Sequence, residues 1–534
     1  MDDQPADIAA QPHSFGLGDK KGLFMVAFLT RRFLASLVVL AVASYIVYVL
    51  TCFSGNPLMD LLQSHARNKE ELIAQRVALL HLDISPFLRY FLWLGGILQG
   101  FVGHFTLGYA INGQPVTDEL SSAMWSTLQL VTTAAVIAII FGVIIGITTA
   151  LRQYTAYDYA ATFLSFLFFS LPIFWLAVML KQYVAIGFNN FLADPVIGPV
   201  TIVVLALISG VVWLGIIGGP MKRRLIVFGI AAVATAGVLV FISATRWLDD
   251  PGLGIVVVTL LSVGFAFLIT LISTGLENRK ALYSALTTVA VGAVLYYPLQ
   301  YLFPYVNIWT FILLGLVAIG VGLLVGWLWG GDDRWASART AAITAFLMAA
   351  VIALDRFMQA WSVYANSSAA NGRPIATIGS VTPGLSGDFW ITGIDSFTHI
   401  LLPTLALMLA SLAGYSRYSR ASMLDVMNQD YIRTARSKGL TERTVVVRHA
   451  FRNALIPIVT IITLDFGALI GGAIVTETVF NWQGMGALFQ NALNITDVNV
   501  VMGVFLVTGI AAIVFNALAD VIYSALDPRI RVTS

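Results

Sequence analysis

AMWSTLQLVTTAAVIAIIFGVIIGITTA, residues 123–150, runs for 28 residues without one charged side chain and stops just short of Arg152. At a rise of 1.5 Å per residue a helix of this length reaches about 42 Å, more than the roughly 30 Å of hydrocarbon in a bilayer. In that medium every backbone N–H and C=O needs an internal partner, and a continuous helix supplies one. The stretch therefore reads as a membrane-spanning helix.

The same composition recurs along the chain. Apolar blocks are expected to span at 33–53 (introduced by Arg31-Arg32), 123–150 and 159–187, the last with Pro172 inside it. Six more lie near 197–219, 225–244, 254–276, 281–303, 307–329 and 340–361, and a final three near 398–415, 456–479 and 499–525. Of 534 residues, 58% are hydrophobic and only 11% charged, against about 25% charged in soluble domains. The mean hydropathy is +0.85. The fold class is thus all-α, a polytopic transmembrane helical bundle of about twelve spans. Positive residues set its orientation. With the N-terminus in the cytoplasm, Arg152, Lys222-Arg223-Arg224, Arg279-Lys280 and the tail residues Arg529 and Arg531 all fall inside. The links 245–252 and 303–307, poor in Lys and Arg, fall outside, and the C-terminus returns to the cytoplasm.

Composition also excludes classes of function. A net charge of +2 gives nothing on which to build nucleic-acid binding. A single cysteine, Cys52, rules out an intrachain disulfide and a cysteine-cluster metal site. His65, His81 and His104 share the external stretch 54–122 with Asp60, Asp83 and Asp118, but their spacing fits no ligand pattern, so no metal or cofactor is expected. The first thirty residues read as a polar tail and not as a cleaved signal peptide. Trp93, Trp175, Trp247, Trp361 and Trp390 near span ends read mostly as interfacial anchors. WLGGILQGFVGHF (93–105) and NWQGMGALFQ (481–490) are candidates for elements that dip into the outer leaflet.

The most informative polar segment is SRYSRASMLDVMNQDYIRTARSKGLTERTVVVRHAFRNALIPIV, residues 416–459. Met423, Val426, Met427, Tyr431 and Ala435 stand at helical spacing and make one apolar stripe. Gly439 stands where a helix C-cap belongs, with Arg436 and Lys438 in the last turn. A second helix is expected from Thr441, with Glu442 in its first turn and Pro457 near the membrane entry. Two readings fit these residues equally. One is a rigid helical lever that docks on a cytoplasmic partner, the other a basic loop that meets anionic head groups.

RTARSKG (433–439) matches the spacing of the EAA loop of binding-protein-dependent ABC permeases, with Gly439 at the motif's glycine. The wider string DYIRTARSKGLTERTVVVRHAFRNALIPIVT resembles the peptide and nickel importer branch of that superfamily. So do RRFLASLVVLAVASYIVYVL with SGNP (54–57), LGGILQGFVGHFTLGYAINGQPV, FSLPIFWLAVML, HILLPTLALMLASLAGYSRYSRASML, VTETVFNWQGMGAL and ALDPRIR, in the family's order. The resemblance covers about 1–190 and 396–534. It implies a B-type permease subunit with a type I core, not itself an enzyme, working with a second homologous permease, two ATPase domains and an external substrate-binding protein. The membrane implied is a prokaryotic plasma (inner) membrane. By position Arg433, Thr434, Ala435 and Gly439 take the motif's places, with Asp430 and Tyr431 just ahead, as the residues that couple to the ATPase. Arg433 replaces the motif's acidic first residue, and the distance from Gly439 to Pro457 is longer than in sugar importers.

Domain organisation follows. Residues 1–32 are a cytoplasmic tail, 33–190 the first part of a permease core, 191–361 an inserted accessory bundle of six spans, 362–397 an external segment, and 398–534 the second part of the core with its coupling loop at 416–455. No G-x-x-x-x-G-K-[ST] loop is present, so ATP is expected to act through a partner. The expected function is ATP-driven import of peptides or a related solute such as glutathione or a nickel chelate. The alternative is a gradient-driven secondary transporter, for which Asp465 is the main coupling carboxylate. A membrane-embedded enzyme would need a cluster of acid, base or metal residues, and none is found.

Overall fold

The computed structural model describes residues 17–526; the tail ahead of Leu17 and most of the ALDPRIR string, Arg529 and Arg531 included, lie outside the described residues. Every regular element among them is helical, apart from one isolated bridge between Tyr109 and Pro115. Eleven helices among the described residues are long and apolar enough to cross a membrane. A bent pair of helices, counted as one span, makes twelve.

In chain order, α1 (Leu17–Phe53) leads into three short helices, α2 (Met59–Gln63), α3 (Lys69–Leu79) and α4 (Pro86–Leu98). Then come α5 (Val116–Leu151) and α6 (Ala156–Ser170). The helix does not run through Pro172 as expected: it stops at Leu171–Pro172 and resumes as α7 (Ile173–Met179), a π-helical stretch at Leu180–Ile186, and α8 (Gly187–Leu192). Leu171 has the extended conformation that the residue before a proline prefers, which ends the helix there. Next are α9 (Pro199–Ile217), α10 (Met221–Thr245), α11 (Gly254–Ser273), α12 (Arg279–Leu302), α13 (Ile308–Trp329) and α14 (Arg334–Ala365). The chain closes with α15 (Phe389–Met427), α16 (Asp430–Ser437), α17 (Glu442–Thr444), α18 (Phe451–Gly472), α19 (Ile474–Phe480), α20 (Met485–Asn494) and α21 (Val498–Leu526).

Contacts divide the chain into two compact units, one of Met1–Phe174 with Thr404–Ser534, the other of Trp175–Pro403. In the first, the segment after α1 folds back on it. Tyr90 and Trp93 of α4 bury themselves against Tyr48, and the Tyr90 hydroxyl lies 2.8 Å from Ser44 Oγ. Arg76 reaches Asp60 and the Pro57 carbonyl, and the Arg76 guanidinium holds the Asp60 carboxyl below its ordinary range. Along α5, the small residues Ala138, Gly142, Gly146 and Ala150 form a buried stripe at four-residue spacing. A Cβ at Gly146 would press on Ser416 O and Ser419 Cβ of α15, so the two backbones touch as small-xxx-small pairs allow in membranes.

The second unit has its own core. Trp390, with no exposed surface, stands edge-on to Phe303 and Phe357 and donates its indole N–H to Phe303 O at 2.8 Å. Trp93 and Trp390 are therefore core residues and not interfacial anchors. Asp355, fully buried, accepts from Leu253 N (2.6 Å), Gly254 N (3.1 Å) and the Tyr296 hydroxyl (2.5 Å). It thereby satisfies the orphan N–H groups that open α11.

Candidate functional site

The segment 416–459 is built from five consecutive pieces. α15 ends at Met427, Gln429 is extended (φ −74°, ψ 150°), and α16 starts at Asp430. The single stripe expected from Met423 to Ala435 is thus broken at Asn428–Gln429, where Asn428 is a weak helix former. α16 carries its own apolar edge, Ile432 and Ala435, one turn apart. Ile432 has no exposed surface and Ala435 is nearly buried. They pack into a small cluster with Ala150 of α5, Met423 of α15, and Val445, Ala450 and Ala454 around the start of α18.

The end of α16 is a Schellman motif. Gly439 takes φ +76°, its N–H bonds Arg436 O at 2.9 Å, and Leu440 N–H bonds Ala435 O at 3.4 Å. Only glycine adopts that conformation at little cost, which explains its place in the sequence. Thr441 then caps α17 by accepting from Thr444 N, and a π-helical turn at Val445–Ala450 feeds into α18, with Pro457 inside that helix. Arg436 forks onto Glu442 through Nε (3.2 Å) and Nη2 (2.7 Å), tying the two helices across the turn. Ser422 Oγ donates to Ala454 O at 2.8 Å, pinning α15 to α18 directly below.

This architecture sorts the residues singled out from the sequence. Asp430, Tyr431, Arg433 and Thr434 face outward, and Gly439 stands in open space at the C-cap. Ala435 points the other way, into the chain's own cluster. The Asp430–Arg433 pair (3.5 Å) is exposed and contributes little, as surface pairs do. The Tyr431 hydroxyl accepts from Asn453 Nδ2 at 2.9 Å, which fixes the ring on the rim. Sequence reasoning missed Ile432, the buried peg. Its signal was its i, i+3 relation to Ala435, hidden behind the longer stripe. No cluster of His, Cys, Asp or Glu that could hold a metal occurs among the described residues.

A second buried arrangement in the same unit lies where α19 meets α20. Glu477, with no exposed surface, accepts from Thr127 Oγ1 (2.6 Å), Gly486 N (2.7 Å) and Ala487 N (3.1 Å). Its carboxylate caps α20 and binds that helix to α5.

Residues 370–532 match the family described as binding-protein-dependent transport system inner membrane component. Over 155 residues the chain is 43% identical to the oligopeptide transport system permease protein OppB of Mycobacterium tuberculosis, covering 29% of this chain and 48% of that protein. It is 44% identical over 136 residues to the oligopeptide transport system permease protein AppB of Bacillus subtilis (26% and 43%). It is 45% identical over 139 residues to the glutathione transport system permease protein GsiC of Escherichia coli (26% and 45%). The chain thus spans about half the length of the curated relatives it matches. The resemblance to permease subunits of the peptide branch holds, as does the multi-pass helical fold.

Proposed function

We propose that this chain is the B-type permease subunit of an ABC importer that carries peptides, or a related small solute, into the cytoplasm. The observation that carries the reading is α16. It is a short helix pinned by Ile432 and Ala435 to the ends of α5, α15 and α18, with an outward face of Asp430, Tyr431, Arg433 and Thr434. It lies inside the family-matched region. A helix so anchored moves as one body with three spans. ATP-driven closure of two partner nucleotide-binding domains on that face would therefore tilt the spans between inward- and outward-open states. On this reading the termini and the coupling segment are cytoplasmic in a prokaryotic inner membrane. A second permease completes the pore, and an external binding protein delivers the cargo. The sequence likeness of residues 1–190 supports assigning them to the same permease core. On the same reading the six helices α9–α14 are an inserted accessory bundle.

The gradient-driven alternative rests on Asp465. That carboxylate accepts a hydrogen bond from the buried Tyr415 hydroxyl at 2.6 Å, an arrangement that also suits a purely structural role. Purifying the tagged chain from its native membrane in mild detergent, with co-purifying proteins identified by mass spectrometry, separates the two. A second permease, one or two ATPases and an exported binding protein are expected, and the ligand of that binding protein names the cargo. A stable chain recovered without any ATPase would overturn the importer reading.

A further inference from the structure

A cavity of about 380 Å³ lies in the first unit, between the end of α5, α6 and the last third of α15. Its walls are mostly apolar, but Thr149, Thr162, Ser165, Arg417, Arg420 and Asp425 set polar groups into them. Ser165 Oγ and Ser416 Oγ pair at 2.9 Å across it. Beside it Asp158, nearly fully buried, accepts from Arg420 Nη2 (3.0 Å), Tyr154 N (3.0 Å) and Thr162 Oγ1 (3.3 Å). Arg420 is thus charge-compensated, yet its Nε is buried without a partner among the described residues. Arg417 differs. It lies 3.8 Å from the Phe169 ring centroid and 5.5 Å from that of Phe166, and its Nε donates to Ala413 O (3.3 Å). No carboxylate answers its charge among the described residues. Two turns further on, the Asp425 carboxylate likewise has no partner among them. The cavity therefore offers an unpaired, half-buried cation in its wall and an unpaired anion at its exposed rim.

Arg417 and Asp425 stand eight residues apart on one helix, a rise of about 12 Å. An extended peptide covers roughly 3.3–3.6 Å per residue, so the termini of a two- or three-residue peptide fall within reach of both side chains. A phosphate suits the cavity less well, because Asp158 and Asp425 oppose a second negative charge. We propose that this cavity is a subsite for short zwitterionic peptides leaving toward the cytoplasm. Arg417 holds the C-terminal carboxylate, Asp425 holds the N-terminal ammonium, and the Thr162 and Ser165 hydroxyls meet the peptide backbone. The Arg420–Asp158 pair keeps the walls in place. The proposal rests on the permease reading above and adds to it a binding site for the two charged termini of the peptide.

The test is calorimetric titration of the full-length chain in phosphatidylcholine nanodiscs with Ala-Ala-Ala, its N-acetylated form and its C-amidated form. Each blocked terminus is expected to weaken binding about tenfold, the effect of losing one charge-assisted hydrogen bond. Arg417→Gln should weaken the free peptide by the same factor and no longer distinguish the amidated form; Asp425→Asn should do so for the acetylated form. Arg417→Lys should keep part of the affinity, which guards against misreading a folding defect. Equal binding of all three peptides, absence of binding, or binding untouched by both variants overturns the proposal. So does displacement of the peptide by phosphatidylglycerol through Arg417, which would assign the cavity to lipid. If cells lacking this chain lose Ala-Ala-Ala uptake while the purified chain shows none of the expected discrimination, the subsite alone fails. If uptake never depended on the chain, the permease reading fails first.

Discussion

Gly439 is the residue at which conformation and proposed coupling meet. At φ +76° a β-branched side chain pays a backbone penalty of about 1–2 kcal/mol, and the Schellman bonds to Arg436 and Ala435 loosen with it. Gly439→Val is therefore expected to abolish peptide uptake while the amount of chain in the membrane, measured by quantitative blotting, stays unchanged. Undiminished uptake would remove the coupling role from this turn. Glu477 poses a different question, since its carboxylate is the acceptor for two backbone N–H groups and one hydroxyl in a buried site. Glu477→Ala orphans those donors at about 1–3 kcal/mol each, so the thermal midpoint in detergent should fall by several degrees, and Glu477→Gln should fall less. Equal midpoints would mean that water takes the carboxylate's place.

At the scale of elements, α16 works only as well as its seating. Ile432→Asp places a carboxylate among the apolar Ala150, Met423, Val445 and Ala454 and should release the helix. Limited proteolysis should then cut between Met427 and Thr441, and the ATPase should no longer co-purify. Arg433→Ala, on the exposed face, should leave protease resistance intact and weaken only the capture of the ATPase. A shared phenotype for the two variants would argue against separate seating and docking faces. On the importer reading, the crossing of α5 and α15 is where a movement of α16 would reach the spans. Gly146→Leu forces a side chain against Ser416 and Ser419, and overpacking of this kind costs about 1–3 kcal/mol. Uptake should fall more steeply than the amount of inserted protein.

For the molecule as a whole, the division into two units makes a deletion informative. Excising 199–365 removes α9–α14 and leaves the clusters around Tyr48 and Ile432 untouched, because every member of both lies in the first unit. Trp390 would lose Phe303 and Phe357, so the deletion needs Trp390→Gln to avoid a bare aromatic. The shortened chain is expected to insert and, on the importer reading, still to capture an ATPase. Loss of the complex would mean that the second unit takes part in assembly.

Much of this was legible in the sequence because lipid imposes a one-dimensional rule. A run of apolar residues must be a helix of spanning length, so the spans could be read with ends close to those of α9–α13 and α21. By contrast α1 starts at Leu17, α5 at Val116 and α14 at Arg334, ahead of the expected 33, 123 and 340, because a helix can continue into polar residues beyond the hydrocarbon. Gly439 was legible for a similarly local reason, since a helix C-cap needs a residue tolerant of positive φ. What the tertiary structure alone decided depends on which residues meet across long separations. The inward turn of Ile432 and Ala435, the burial of Trp93 and Trp390 and the hold of Glu477 on α20 belong to this kind. So does the facing of Arg417 and Asp425 into one cavity. Local hydropathy says that a residue avoids water, but in a membrane lipid and protein satisfy it equally well, and only packing chooses between them.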